Sequence, residues 1–541
     1  MRWNSQVLFS RPIRWILALH GDIIVPFVFA GISSGNQSSG LRNSPEAVVE
    51  VKNAESFFPM IKRAGILIDM KVRKDKILQD CISLAASVGG KLVMQDSSLE
   101  EIINLVETPN VILGGFDESF LEIPKEILTT VMQKHQKYLP LTDQSGDKLL
   151  PFFIAVANGF INKGVVQRGN EAVLRARYED AIFFYKMDTQ RKLSEFRGSL
   201  SSILFHEKLG SMHDKMIRVE KIVSKLALAL GMGGSILPVV EKAAALAMSD
   251  LATSVVTEFT SLSGIMARHY ALKDGYSDQI AEAIFEVILP RFSGDKLPKS
   301  DAGIVLATAD RLDTLVGLFG VGCQPSSTAD PFGLRRVSYG LVQILVENKK
   351  NLDLNCALRL VADVQPIEIN DNALQDVLQF VARRLEQLLV DKGINVEIVR
   401  SVLSERANWP FMTAQSAMDM EAFSKGDLFP KVIEAYSRPS RIIHGKEIDG
   451  DLEVTEDAFE HNEEHVLWNT YLAVAEKLHP GVGIDTFLKA SSQLIRPLED
   501  FFDRVYVMAD DQRIRKNRLA LLKRIADLPK GIADLSLLPG F

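Results

Sequence analysis

Between Trp15 and about Tyr185 the hydrophobic residues come in short runs of mixed period. Ile23-Ile24-Val25, Phe27-Val28-Phe29 and Phe152-Phe153-Ile154-Ala155-Val156 are rich in strand formers, and turn signals such as Asp143-Gln144-Ser145-Gly146 separate such runs. This pattern predicts an α+β region. His20-Gly21-Asp22 interrupts the apolar stretch near the start, so that stretch reads as a β-hairpin rather than as the apolar core of a signal peptide. From about Asp188 to Lys349 apolar residues recur every three or four positions, with loops at Gly231-Met232-Gly233-Gly234 and Pro325-Ser326-Ser327, which predicts helices. Further helical patterning runs from about Asn372 to Ala407 and, after an irregular stretch, from Glu463 to Leu528. The expected architecture is multidomain and predominantly α. It has an α+β region at 1–187, a helical middle domain at 188–349, a helical linker at 350–430 and a helical C-terminal domain at 431–541. Because Met1-Arg2-Trp3 leads almost directly into the first strands, sequence upstream is expected to be missing.

With 541 residues, 47% hydrophobic and 24% charged, the chain can fill several cores. Its net charge of -7 means that a nucleic-acid partner must be held by local clusters of Lys and Arg rather than by the whole surface. Cys81, Cys323 and Cys356 lie far apart, which argues against a disulfide framework or a cysteine-rich zinc site. No run approaches the ~18 apolar residues of a membrane span. The sequence contains no GxxxxGK[ST] loop and no HExxH motif, and the adjacent His213-Asp214 pair would point in different directions on a helix.

The densest basic segment is Arg513-Ile514-Arg515-Lys516-Asn517-Arg518-Leu519-Ala520-Leu521-Leu522-Lys523-Arg524. As a helix it places Arg513, Lys516, Ala520 and Lys523 on one face and Leu519, Leu522 and Ala526 on another, with Asp510 and Asp511 at its positive end. A merely solvated face is the bland alternative, and with it a plain helical scaffold.

Gln493-Leu494-Ile495-Arg496-Pro497-Leu498-Glu499-Asp500-Phe501-Phe502-Asp503-Arg504-Val505-Tyr506-Val507-Met508, taken with Arg515 to Leu519, resembles the helical anticodon-binding module shared by arginyl-tRNA synthetases and the glycyl-tRNA synthetase beta subunit. Phe501, Phe502, Val505 and Met508 read as core in either case. Phe205-His206-Glu207-Lys208-Leu209-Gly210, Ser249-Asp250-Leu251-Ala252-Thr253, Asp310-Arg311-Leu312-Asp313-Thr314-Leu315 and Asp330-Pro331-Phe332-Gly333-Leu334-Arg335-Arg336 look like consecutive blocks of that beta subunit. Met132-Gln133-Lys134-His135-Gln136-Lys137-Tyr138 and Gly169-Asn170-Glu171-Ala172-Val173-Leu174-Arg175-Ala176-Arg177 continue the resemblance upstream. Around Ser39-Gly40-Leu41-Arg42-Asn43-Ser44-Pro45 the chain looks more like the plant organellar type, in which alpha and beta parts are fused.

The resemblance implies a tRNA-binding component of glycine-tRNA ligase. Its partners would be glycine tRNA and an alpha subunit or segment, in a dimeric or tetrameric assembly, with neither membrane nor DNA involved. ATP would be used by the alpha component and no cofactor bound by this chain. The compartment would be chloroplast or mitochondrion for a plant source and bacterial-type cytoplasm otherwise. Arg513, Arg515, Lys516, Asn517, Arg518 and Lys523 are the expected tRNA contacts. Lys134, Lys137, Arg175, Arg177, Arg335 and Arg336 are candidates for the acceptor side or the alpha interface. The family's middle region is related to HD phosphohydrolases, whose metal site here maps to His206, Ser249, Asp250 and Asp310. Ser249 stands where a histidine ligand is needed, so no metal is expected, and Asp250 and Asp310 should cap helices or form hydrogen bonds. An HD-type metal-dependent phosphohydrolase is the alternative function, and it requires that missing histidine.

Overall fold

Strand-forming runs near the start and helical periodicity beyond them produce two units in a computed structural model that describes residues 13–41, 48–93, 96–444, 453–479 and 481–541. One unit comprises Met1–Arg191 with Thr253–Leu262, and the other Lys192–Ala252 with Ser263–Phe541. The second runs through 349 and 430, where the sequence pattern predicts boundaries.

In the first unit Leu149–Asn158 is an inner strand of a four-stranded sheet. It pairs antiparallel with Pro109–Gly115, from Phe152 opposite Gly115 to Asn158 opposite Pro109, and on its other side with Leu139–Thr142. Helix Met70–Ser87 lays Ile77, Cys81 and Ala85 on a core shared with Leu139, Leu141 and Ile154. The Phe153 ring stacks on Tyr138 at 4.7 Å and lies over Gly114, where a Cβ would fall 2.3 Å from the ring, so only glycine fits beneath it. The early hairpin is present as well, with Leu19 opposite Ile24 and His20 opposite Ile23 around Gly21 at φ +61°. Of the stretch 39–45 that resembles the plant type, 42–45 lie outside the described residues.

Helix Lys163–Asp188 ends on a buried carboxylate. Asp188 accepts hydrogen bonds from the backbone N–H groups of Ser254 and Val255 at 2.8 and 2.9 Å, which caps helix Ser254–Glu258. Residues 253–262 group with the first unit rather than with their sequence neighbours, and these two bonds are among the contacts that tie them to it.

The second unit is built on helix Asp301–Gly320, which is apolar almost all round and therefore buried on every side. Helices Met212–Ala229, Asp278–Glu286 and Leu334–Glu347 pack against it. Its first turn is held by buried Glu286, which accepts from Lys299 N at 2.6 Å and Ser300 N at 3.1 Å, while Ser300 Oγ accepts from Gly303 N at 3.0 Å. A Cβ on Gly303 would sit 1.9 Å from Glu286 Oε2. Gly303→Ala must therefore displace the carboxylate that caps the central helix, and should destabilise this unit by about 1–3 kcal/mol in urea denaturation. Lower down, Arg218 grips Asp313 with both Nε and Nη2, at 2.7 and 3.0 Å. Gln365 Nε2 donates to the same carboxylate at 2.9 Å, so the charge is fully partnered inside the core.

Candidate functional site

The basic helix, Gln512–Ala526, starts where the sequence predicts. Asp511 Oδ1 accepts from Arg513 N at 2.7 Å and Ile514 N at 3.2 Å, and Lys523 and Arg524 complement the negative end of the helix dipole. Leu519, Ala520, Leu521, Leu522 and Ile525 are buried. Arg513 and Lys516 are exposed, Arg515 is half-buried, and Lys523 is partly exposed with Asp527 at 3.7 Å. Ala520, expected between Lys516 and Lys523 on the open face, is buried instead, so the basic face is interrupted there.

Two of the expected tRNA contacts belong to the interior. Asn517 Oδ1 accepts from Thr455 N at 2.8 Å and its Nδ2 donates to Thr455 O at 3.0 Å, so the amide pairs with one backbone residue as a strand would. Arg518 donates from Nε to Glu464 Oε1 at 2.8 Å, from Nη2 to Glu460 Oε2 at 2.9 Å and from Nη1 to Tyr506 O at 2.9 Å. The Arg518 side chain is 3% exposed and that of Glu464 0%. With their polar atoms committed within the fold, neither residue is available to a ligand, and both leave the contact set. Glu464 also accepts from Glu460 N and His461 N, both at 2.9 Å, and so closes the first turn of helix Asn462–Ala475. Burial acts to raise the pKa of Glu464. The hydrogen bonds from Arg518 and the two backbone N–H groups, together with the Arg518 charge, outweigh it and hold the carboxyl below its ordinary value.

Phe501 and Val505 are core, as expected, and Phe502 is half-buried, whereas Met508 is exposed and Val507 is buried in its place. Tyr506, with no expected role, is 74% exposed. Its carbonyl is fixed by Arg518 while its ring faces solvent, a placement that follows from the short connector after helix Ile495–Arg504.

The upstream candidates are scattered over several elements. Lys134 is exposed, and Lys137, at φ +58°, pairs with Glu101 at 2.8 Å. Arg175 and Arg177 are exposed on helix Lys163–Asp188, two residues apart and hence on different faces. Arg336 is exposed, and Arg335 is half-buried and donates to the Ser326 carbonyl.

At the HD-related positions the side chains are engaged separately, except Ser249, whose buried Oγ has no hydrogen-bond partner among the described residues. His206 Nδ1 accepts from Lys208 N at 3.2 Å, and its Nε2 lies 3.6 Å from Cys323 Sγ. Ser249 and Asp250 are fully buried. Asp250 Oδ2 accepts from Gly264 N at 2.6 Å and Ala267 N at 3.3 Å, which caps helix Ile265–Lys273, and burial pushes its pKa up to about 6. Asp310 is ion-paired with buried Lys215, so an ammonium already supplies the cation that a metal would bring. Among the described residues no group of three or more His, Cys, Asp or Glu side chains is placed to hold a metal ion.

Comparison with known proteins gives one direction. Residues 1–404 match the family model described as glycyl-tRNA synthetase beta subunit. The chain is 62% identical over 541 residues to the chloroplastic/mitochondrial glycine–tRNA ligase 2 of Arabidopsis thaliana; the match covers 100% of this chain and 51% of that protein. It is 36% identical to the glycine–tRNA ligase beta subunit of Clostridioides difficile and 35% identical to that of Halothermothrix orenii; each match covers 99% of this chain and 78% of the relative. The chain thus spans about half the length of the plant relative.

Proposed function

Since this chain belongs to the glycyl-tRNA synthetase beta-subunit family, we propose that it binds glycine tRNA and positions it for ATP-dependent aminoacylation by an alpha component. Holding a long RNA so that its end meets a distant active site contributes through orientation, which can rival chemistry in its effect on rate. The assembly would be dimeric or tetrameric, and the plant relative's name points to a chloroplast or mitochondrion as the compartment. In this reading the C-terminal helices form an anticodon-binding module, where single-stranded bases can be stacked and hydrogen-bonded. In this reading the HD-related positions serve the fold, and the Lys215–Asp310 pair speaks against the phosphohydrolase alternative.

The observation that carries the C-terminal assignment is a division of labour within one helix. Asn517 and Arg518 are consumed by the fold, while Arg513 and Lys516 are left toward solvent and Arg515 and Lys523 are partly so. Replacing Arg513, Lys516 and Lys523 together with Ala should weaken binding of glycine tRNA and lower the slope of log K against log salt by roughly 2–3, because each lost phosphate contact removes about one released counterion. Stability should stay within about 0.5 kcal/mol of wild type, as these side chains fill no core. Filter binding across a salt series checks this. Unchanged affinity and slope would mean that the face is only solvated.

A further inference from the structure

A cleft of about 370 Å³ opens between helices Leu334–Glu347 and Asp371–Asp391 and the loop after Pro290. Arg335 and Arg336 reach it from the first helix and Arg384 from the second. The hydrogen-bond acceptors of these arginines are neutral: Arg335 donates to the Ser326 carbonyl and Arg384 Nη1 to Gln387 Oε1 at 3.1 Å. Arg384 Nε is buried with no hydrogen-bond partner. Among the described residues no carboxylate is within ion-pairing distance of the three guanidinium groups. The nearest helix N-terminus is already spoken for, because Asp330 accepts from Leu334 N at 2.8 Å and Arg335 N at 3.0 Å.

Burial, and then the cations of Arg335 and Arg383, make the charged form of Arg384 harder to hold, and Asp330 only partly offsets them. A guanidinium with an unused buried donor beside like charges is a place where an anion would be stabilised. At one side of the cleft Phe292 presents a ring that is 58% exposed, and Asp391 supplies an acceptor on the lining. Phosphate-binding arginines, an aromatic face and a lone carboxylate acceptor suit one nucleotide of an RNA strand: its phosphodiester, its base and a hydroxyl or amino donor.

We propose that this cleft binds a backbone phosphate of RNA through Arg335, Arg336 and Arg384, with the adjacent base stacked on Phe292. The proposal rests on the reading that the chain binds tRNA, and it adds a second contact region that does not depend on the basic helix.

The test compares wild type, Arg336→Gln, Arg336→Gln/Arg384→Gln and the Arg513/Lys516/Lys523 triple Ala variant in glycine-tRNA binding across a salt series. Melting temperature is recorded for each. The double variant should lose affinity on the order of tenfold and lower the salt slope by about 1–2. Arg336→Gln, which alters only an exposed side chain, should show part of that slope change with an unchanged melting temperature. If both cleft variants bind like wild type while the triple variant does not, the cleft assignment is overturned and the tRNA reading survives. If wild type binds no tRNA, both fall. If inorganic phosphate at millimolar concentration and fixed ionic strength raises the melting temperature of wild type but not of the double variant while the two bind tRNA equally, the cleft takes free phosphate, and the RNA assignment is overturned.

Discussion

Arg518→Ala should cost about 3–5 kcal/mol of stability, the effect of leaving one member of a buried ion pair without its partner. The carboxylate left behind is Glu464, fully buried and still receiving backbone N–H bonds from Glu460 and His461, but with no cation to offset its desolvation. Opening should be felt first in helices Asn462–Ala475 and Gln512–Ala526, so hydrogen exchange resolved by segment is the measurement, with urea denaturation beside it. Arg518→Met combined with Glu464→Gln should recover much of the loss, because removing both charges is far cheaper than stranding one. The pH dependence has a definite sign. Glu464 has a lowered pKa when folded, so the stability that the pair contributes is fully present above the unfolded value of about 4.3 and is lost as pH falls through the folded value. The difference between wild type and Arg518→Ala should therefore shrink in acid. Retained stability with a selective loss of tRNA binding would instead return Arg518 to the contact surface.

The contrast between Arg518 and its neighbours also marks where the sequence stops being readable. The helix itself was legible, from the Asp511 cap to the run of leucines, and so were the hairpin at Leu19–Ile24 and the strand through Phe153. Those features rest on local turn chemistry and on periodicity. Which basic residues face inward depends on Glu464 and Glu460, 54 and 58 positions away, and no local pattern reveals such partners. One signal was nevertheless available. Arg518, Leu521, Leu522 and Ile525 follow the i, i+3, i+4, i+7 spacing of an apolar stripe, so a cation on that stripe calls for a buried anion. The same distance effect hid Lys215, which pairs with Asp310 across 95 positions and fills the charge role left open when the HD-related positions are considered alone. The cap that Asp250 provides for helix Ile265–Lys273 was anticipated in kind, because a carboxylate without metal partners tends to find backbone N–H groups, but its target could not be named. The return of 253–262 to the first unit was invisible for a similar reason. Its partners include Asp188, 66 and 67 positions earlier, and His135, whose ring meets Phe259 at 5.4 Å.

The largest functional effect expected is all-or-none. In the proposed division of labour this chain supplies tRNA binding and the alpha component supplies adenylate chemistry, so their activities should separate cleanly when the two are assayed apart and together. The Arg513/Lys516/Lys523 triple Ala variant, added to the alpha component, should raise KM for tRNA and leave glycine-dependent ATP–pyrophosphate exchange unchanged, since it removes binding to the RNA and not transition-state contacts at the adenylate. Glycine-tRNA charging by this chain alone, by the alpha component alone and by the two combined is the measurement closest to the central claim, with pyrophosphate exchange followed in parallel. The account predicts no exchange and no charging from this chain alone, and charging when both are present. Robust glycyl-adenylate formation by this chain alone, or charging by the alpha component at the same rate whether or not this chain is added, would contradict it.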